Sequence, residues 1–440
     1  CAIRDQIRLG QLSRFQILAI GICLLINTID GFDVLIIAFV APQLAVEWQL
    51  SADALGMLMS AGLAGMTAGC LFLAPFADKF GRRKLILFSL TLTSLGMFAS
   101  VFAPGPGILV ALRFITGLGI GTMLASLTTL VSEYSSERLR AVAISFSLAG
   151  YPIGAMFGGG ITLSLMQSFG WQAVFLTGAI ATALMIPLVL KFIPESIEYL
   201  MVKRDPAALD EINAILSRME KNTVDELPEP IEAHGNSGSS VAQLLSPAYR
   251  RWTLLAWTMS LLVFGSLYVV LNWTPKLLVD SGLGQDEGIV AGVVINLGAF
   301  IGVFVLSALV MKFSVAVSGI LLMLFGSASI VVFSQYLSSP QILLPVALCI
   351  GLGVNTAVIS IYSVLADIYP ARIRTTGTGW TIGIGRLSAV ASPVIAGYML
   401  KAGMEPKTIY LFYASPLILA ACAMFQLDKS KIQARAQSPT

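Results

Sequence analysis

The chain has 440 residues, of which 56% are hydrophobic and 12% are charged, and its formal net charge is +3. A composition this apolar excludes an ordinary water-soluble protein. None of the five cysteines has the spacing of metal ligands, and the only histidine, His234, lies in a polar loop. We therefore predict no metal site, no cofactor and no histidine proton relay. Because the chain begins at Cys1 rather than at methionine, we expect a longer natural N-terminus.

Twelve apolar segments predict an all-α membrane protein. At about 1.5 Å per residue, segments of roughly 20 residues cross a hydrocarbon core of about 30 Å. An even number of such segments places both termini on one side of the membrane. These predicted spans, numbered 1 to 12 below, cover residues 16–41, 54–77, 85–103, 107–131, 141–167, 171–193, 252–273, 287–311, 315–337, 341–366, 376–400 and 408–427.

The distribution of cations predicts which side that is. Of the 27 lysines and arginines, 22 lie on the side of the termini, and Arg113 and Arg386 fall within spans. Only Lys276, Lys401 and Lys407 lie on the opposite side. Because cytoplasmic loops carry the excess of Lys and Arg, we predict a multi-pass protein of the cell inner (plasma) membrane with both termini in the cytoplasm.

Span 1 carries two carboxylates, Asp30 and Asp33, near its middle. Each costs roughly 2.5–3.5 kcal/mol in hydrocarbon on insertion scales. They share a helix face with Asn27, and two carboxylates so close in a low dielectric resist ionising together. The structural alternative is pairing with a buried arginine, but one such partner needs only one carboxylate. We therefore predict a proton-handling or substrate-handling site that faces a water-filled cavity.

Span 4 carries Arg113, a cation at a depth that would allow it to pair with Asp33. At about 1.5 Å per residue, Arg113 lies about 9 Å and Asp33 about 13 Å from the end opposite the termini, so their depths are compatible. Asp30, Asp33 and Arg113 are the predicted proton-coupling residues.

The loop between spans 2 and 3 combines an acid, a glycine and several cations. A tight loop needs the glycine, Asp78 can cap a helix or pair with arginine, and the cations anchor the turn at the headgroups. A plain positively charged loop would explain the cations but not Asp78 and Gly81. The predicted gating residues, two of which follow span 4, are Asp78, Gly81, Arg82, Arg83, Glu133 and Arg138.

The one long loop joins spans 6 and 7. Leu209, Ile212, Leu216 and Met219 recur there at helical spacing among charges, which predicts an amphipathic helix on the cytoplasmic face. The Pro-, Gly- and Ser-rich stretch that follows predicts a flexible linker. The predicted organisation is an N-terminal six-helix bundle at 1–193, a cytoplasmic linker at 194–251, and a C-terminal six-helix bundle with its tail at 252–440.

Span 11 contains Arg386, about 18 Å deep at ~1.5 Å per residue. A guanidinium can grip a carboxylate through two parallel hydrogen bonds. Aromatic side chains in other spans, Phe264 among them, can stack on a ring, although such residues more often face lipid or pack. The predicted substrate-binding residues are Arg386, Asn27, Phe32, Tyr268, Asn272, Asn355, Tyr362 and Trp380.

With these residues assembled, the chain resembles the major facilitator superfamily over nearly its full length. The twelve spans, the long central loop, the Asp78–Arg83 loop and the Arg113 span carry the resemblance. Asp30-Gly31-Phe32-Asp33, Pro194-Glu195-Ser196 and the Arg386 span resemble the aromatic acid:proton symporters within it. Two departures stand out: Ala74 replaces the usual first glycine of the loop motif, and the loop between spans 8 and 9 (307–317) lacks its acid.

The resemblance implies the major facilitator fold and import of benzoate-like or hydroxylated aromatic acids with protons, as in aromatic hydrocarbon catabolism. The implied partners are the acid, protons and the lipid bilayer, with no nucleic acid, and the chain is expected to be a monomer. The main alternative is a proton-coupled exporter of organic anions or drugs, and a sugar transporter is a weaker one. A receptor would need a folded extramembrane domain, and an enzyme would need a nucleophile with its base or metal ligands, so we predict no enzyme.

Overall fold

A computed structural model describes residues 2–10, 12–203, 207–227, 241–369 and 371–437. Every regular element among them is helical. The helices are α1 (Ala2–Leu9), α2 (Arg14–Glu47), α3 (Ala52–Ala68), α4 (Ala77–Phe80), α5 (Arg82–Ser100), α6 (Pro106–Glu133), α7 (Arg140–Leu148), α8 (Gly150–Phe192), α9 (Ile197–Lys203), α10 (Ala208–Arg218), α11 (Val241–Leu244), α12 (Arg250–Asp280), α13 (Gln285–Val310), α14 (Val315–Gln335), α15 (Pro340–Ile350), α16 (Thr356–Ile368), α17 (Ala371–Lys401) and α18 (Pro406–Gln437).

The number of spans agrees with the predicted twelve. Ten segments of the described chain are long and apolar enough to cross a membrane. One of them contains α8, whose 43 residues change direction at Gly170, where φ is 75° and ψ is 179°, so it supplies two spans. The 19-residue helix α5 is a further span, about 28 Å long at ~1.5 Å per residue. Short π-helical turns at Gly69–Leu73 and Gly351–Asn355 interrupt spans 2 and 10.

Contacts divide the chain into two compact units. The first comprises Cys1–Val34, Ala64–Gly154 and Gln172–Asn236, and the second comprises Leu35–Leu63, Ala155–Trp171 and Ser237–Thr440. The second unit thus includes parts of α2, α3 and α8. The predicted bundles at 1–193 and 252–440 describe the order of spans along the chain and stay a prediction, as does the linker, of which 204–206 and 228–240 lie outside the described residues.

In the first unit, the predicted amphipathic helix forms as α10. Its apolar face is covered by protein rather than by a membrane surface, because Ile212, Leu216 and Met219 are buried in one core with Ile3 and Ile7 of α1. The backbone N–H of Glu137 donates to the carbonyl of Arg8 at 2.8 Å, which ties α1 to the loop after α6. The N-terminal helix is therefore part of the folded core.

In the second unit, α12 packs against α17 and α18, and α14 packs against α18. The first turns of α3 also cross the end of α17. A side chain at Gly56 would place its Cβ 2.6 Å from the carbonyl oxygen of Pro393, and one at Gly397 would place its Cβ 2.5 Å from that of Ala52. Beside this crossing, Lys401 donates to Asp53 at 2.9 Å. The two backbones therefore touch directly on the side predicted to lie opposite the termini.

Candidate functional site

The carboxylates of Asp30 and Asp33 are buried in the first unit on α2. The hydroxyl of Thr182 on α8 donates to Oδ2 of Asp33 at 3.3 Å. Oδ1 of Asp33 and Oδ2 of Asp30 have no hydrogen-bond partner among the described residues. Buried polar atoms are nearly always hydrogen-bonded in folded proteins, and burying an unpaired charge is costly. Two incompletely satisfied carboxyl groups on one helix are therefore suited to take up and release protons.

Arg113 is buried on α6 beside this pair. Its guanidinium donates to the backbone carbonyl of Asp33 at 3.4 Å and to the hydroxyl of Thr116 at 3.1 Å, and its carbon lies 4.8 Å from the centre of the Phe175 ring. It is close enough to the carboxyl group of Asp33 for the two charges to interact. The structure thus brings Arg113 and Asp33 together. Phe175 and Thr182 were missed, since neither has a sequence pattern that indicates this contact.

Helix crossings account for other parts of the span 1 sequence. A Cβ at Gly31 would overlap the backbone of Tyr151, so α2 and α8 need glycine there. The amide of Asn27 donates to the hydroxyl of Ser147 at 2.9 Å and to the carbonyl of Cys23 at 3.2 Å. Both of its donor positions are therefore engaged within the first unit. Phe32 is buried as well.

Arg386 lies in the second unit on α17, and its Nε is buried without a hydrogen-bond partner in the described part of the chain. It is close enough to Tyr268 on α12 and Tyr362 on α16 to interact electrostatically with both hydroxyl groups. The Phe264 and Tyr268 rings stack at 6.3 Å, and Gly385 packs against Phe264. The structure thus gathers one guanidinium, two phenols and an aromatic wall. We call these four residues, Arg386, Tyr268, Tyr362 and Phe264, the tyrosine cluster.

The remaining predicted binding residues of the second unit differ in their surroundings. Asn272 is buried; its amide donates to the carbonyl of Tyr268 at 2.8 Å, and its Oδ1 has no partner among the described residues. Asn355 is half-buried and ends the π-helical turn of span 10. Trp380 is exposed and packs against Trp257 at 6.1 Å between ring centres. Asn272 therefore adjoins the tyrosine cluster directly, whereas within the described part of the chain the ring contact of Trp380 is with Trp257.

The loop after span 2 makes a connected polar cluster at the end of the first unit. Gly81 has φ of 99°, which favours glycine. Arg82 pairs with Glu133 and donates to the hydroxyl of Ser196 at 3.0 Å, and that hydroxyl donates to Glu133 at 2.7 Å. Asp78 lies 3.9 Å from Arg82 with its side chain 86% exposed, whereas the side chain of Glu133 is 15% exposed, so Glu133 is the less exposed of the two acids that face Arg82.

Glu195 joins the same cluster from the end of span 6. Its carboxylate accepts from the backbone N–H groups of Arg83 at 3.0 Å and of Ser196 at 2.9 Å. Tyr134 donates to the carbonyl of Glu195 at 2.6 Å, and burial raises the pKa of Tyr134 well above its usual value, which keeps this donor protonated. Sequence reasoning missed the role of Glu195 here. Arg138 is exposed.

A family model described as Major Facilitator Superfamily matches residues 23–393. The chain belongs to the major facilitator superfamily. This confirms the resemblance and identifies the chain as a transporter-family member rather than an enzyme.

Two relatives cover nearly the whole chain. It is 30% identical to the gallate transporter of Pseudomonas putida, over 98% of this chain and 96% of that protein. It is 32% identical to the 4-hydroxybenzoate transporter PcaK of Acinetobacter baylyi, over 94% of this chain and 91% of that protein. Among solved structures, the xylose transporter XylE from E. coli, partially occluded and inward open, matches with a TM-score of 0.74 at 17% identity, covering 94% of this chain and 98% of XylE. This last likeness confirms the fold.

Proposed function

We propose that the chain is a secondary active transporter that imports an aromatic carboxylate together with protons by alternating access. The substrate class rests on the gallate and 4-hydroxybenzoate transporters, which share 30% and 32% of their aligned residues with this chain. The single observation that carries the proton coupling is the buried pair Asp30 and Asp33, each with a carboxylate oxygen that lacks a hydrogen-bond partner among the described residues.

The carboxylate pair supports proton carriage for a chemical reason. A permanent structural ion pair would place a cation directly on the carboxylate, whereas Arg113 donates to the carbonyl of Asp33. The carboxyl group is left able to change its protonation state, and Arg113 can stabilise its ionised form from nearby.

The tyrosine cluster supports recognition of an anionic ring compound. Arg386 offers a planar guanidinium, and Tyr268 and Tyr362 offer hydroxyl groups that can donate to the same carboxylate. Phe264 stacks on Tyr268, and such aromatic faces favour another ring. We assign the carboxylate of the substrate to Arg386 and its ring to this aromatic wall.

Proton coupling also removes the electrical cost of importing an anion. An aromatic carboxylate is an anion at neutral pH, since carboxylic acids have pKa values near 4. Importing it alone against an inside-negative potential costs roughly 2.3 kcal/mol per 100 mV. One proton carried with it cancels that cost, and a second adds the potential to the driving force.

The test is uptake by the purified chain in liposomes with the outside made acidic. We expect accumulation of 4-hydroxybenzoate, gallate or benzoate that collapses with a protonophore, and none of hexanoate or xylose. Uptake that ignores the pH gradient, or accumulation of xylose alone, would contradict the proposal. Extrusion of preloaded acid against its gradient would support the exporter instead.

The proposal includes the orientation in the cell inner membrane, with both termini in the cytoplasm, and a monomeric chain. Val202, after span 6, and Met404, after span 11, are both exposed. In intact cells we expect an impermeant thiol reagent to label Met404→Cys and not Val202→Cys. The reverse pattern would invert the topology. This labelling needs no substrate, so it tests orientation separately from transport.

A further inference from the structure

A groove of about 570 Å³ lies on the second unit among α12, α14 and α18. Two cations, Arg251 and Lys429, stand in its lining beside apolar side chains that include Ile320, Leu324 and Phe425. The described residues that line it include no acid. The mechanism proposed above uses none of them.

The groove has a polar end and an apolar end. Arg251 is the second residue of α12, and Lys429 lies just beyond the last apolar turn of α18, so both belong at the membrane rim. Ile320 and Leu324 lie five and nine residues beyond the start of α14 at Val315. At ~1.5 Å per residue they lie about 7 and 13 Å along the helix into the hydrocarbon. The lining therefore matches an amphiphile with an anionic head.

We propose that this groove binds an anionic phospholipid of the leaflet that faces the chain termini. Its phosphate contacts Arg251 and Lys429, and one acyl chain lies along Ile320, Leu324 and Phe425. Basic pockets between transmembrane helices bind anionic headgroups in this way. A zwitterionic lipid can cover the same apolar side chains, but its headgroup is attracted less strongly by the two cations. A free anion has no acyl chain that could pack against the apolar side chains.

The native thiol of Cys422 provides the readout, because it is exposed and lines the groove. The purified full chain in detergent is titrated with phosphatidylglycerol, phosphatidylcholine or inorganic phosphate, and the rate of Cys422 alkylation is followed by peptide mass spectrometry. We expect phosphatidylglycerol to protect the thiol at a concentration about 30-fold lower than phosphatidylcholine, from two cations near an anionic headgroup. Inorganic phosphate alone should not protect it.

Matched variants assign the effect to the groove. Arg251→Gln/Lys429→Gln should lose the preference for phosphatidylglycerol, whereas Arg251→Lys/Lys429→Arg should keep it. The control Arg250→Gln/Lys312→Gln removes the same two charges from exposed positions outside the lining and should also keep it. The proposal is overturned if both lipids protect equally, if phosphate protects as well as the lipid, or if Arg251→Gln/Lys429→Gln keeps the preference.

Discussion

Arg113 donates a hydrogen bond of 3.4 Å to the backbone carbonyl of Asp33, although the carboxyl group of the same residue lies within its electrostatic reach. The arginine is thus held by the main chain of α2 and by Thr116, whatever the protonation state of Asp33. In the proposed proton cycle, an arginine fixed in this way remains beside the carboxyl group when that group is protonated and can favour release of the proton afterwards.

Asp33→Asn should therefore abolish proton-driven accumulation, because an amide cannot gain and lose a proton. Because the amide resembles the protonated acid, exchange of labelled for unlabelled substrate across the liposome membrane should persist. The measurements are accumulation and exchange on the same preparation. Asp30→Asn is the comparison and should give a weaker loss, since Arg113 interacts with Asp33. Accumulation at wild-type levels in both variants would refute the coupling role.

Arg386→Ala should remove the preference of the site for an aromatic acid over its neutral amide. Charge-assisted hydrogen bonds contribute about 1.5–3 kcal/mol, so the loss should be about 10- to 100-fold in relative affinity. Arg386→Lys keeps the charge but not the planar fork, so its preference for the acid should lie between those of the wild type and Arg386→Ala. Calorimetric titration with the acid and with its neutral amide measures this preference directly. If Arg386→Ala still chose the acid by the wild-type margin, another cation, most plainly Arg113, would hold the carboxylate.

Gly56→Ala and Gly397→Ala should each force α3 and α17 apart. Their Cβ atoms would lie 2.6 and 2.5 Å from facing carbonyl oxygens, closer than real Cβ atoms come, so the helices must shift. Spin labels on exposed Met57→Cys of α3 and Met404→Cys just after α17, in a cysteine-free background, report the separation. We expect the distance distribution to move to longer distances in both variants.

The control for this pair is Gly160→Ala, where a Cβ meets nothing within 4 Å. It should leave the distance distribution as in the wild type. Unchanged distributions in Gly56→Ala and Gly397→Ala would mean that these close contacts do not set the separation of α3 and α17.

Gly81→Ala should lower thermal stability through two effects. The backbone there has φ of 99° and ψ of 147°, a conformation that costs other residues about 1–3 kcal/mol, and a Cβ would overlap the carboxylate of Glu195. Gly105→Ala, at an extended position with nothing within 4 Å, is the matched control. Thermal denaturation in detergent measures the difference, and equal midpoints for the two variants would contradict it.

Sequence reasoning reached the fold and the charged residues because a charge in an apolar span is visible without coordinates. Asp30, Asp33, Arg113 and Arg386 belong to this class. Thr182 and Phe175 do not, since a threonine or phenylalanine in a span is ordinary and only the packing of α8 brings these two to the site. For the same reason the sequence did not indicate that α1 belongs to the core, because Ile3 and Ile7 are buried only once α10 is folded beside them.

The loop after span 2 shows a second limit. Asp78 stands in the expected place, yet Glu133 pairs with Arg82, and Glu195 accepts from the backbone N–H of Arg83. Both of these acids come from distant parts of the chain. Spacing along the sequence describes neighbours within a loop, whereas this cluster is assembled from three segments.

Gly31 stands between the two aspartates of span 1, but its own contact is with the backbone of Tyr151 on α8. A search of genomes for Asp-Gly-Phe-Asp in a first span therefore selects two traits at once, a pair of acids and a crossing too close for any side chain. A protein that keeps both aspartates but has a larger residue at the position of Gly31 must cross these helices differently. Such a protein would share the pair of acids without this helix geometry.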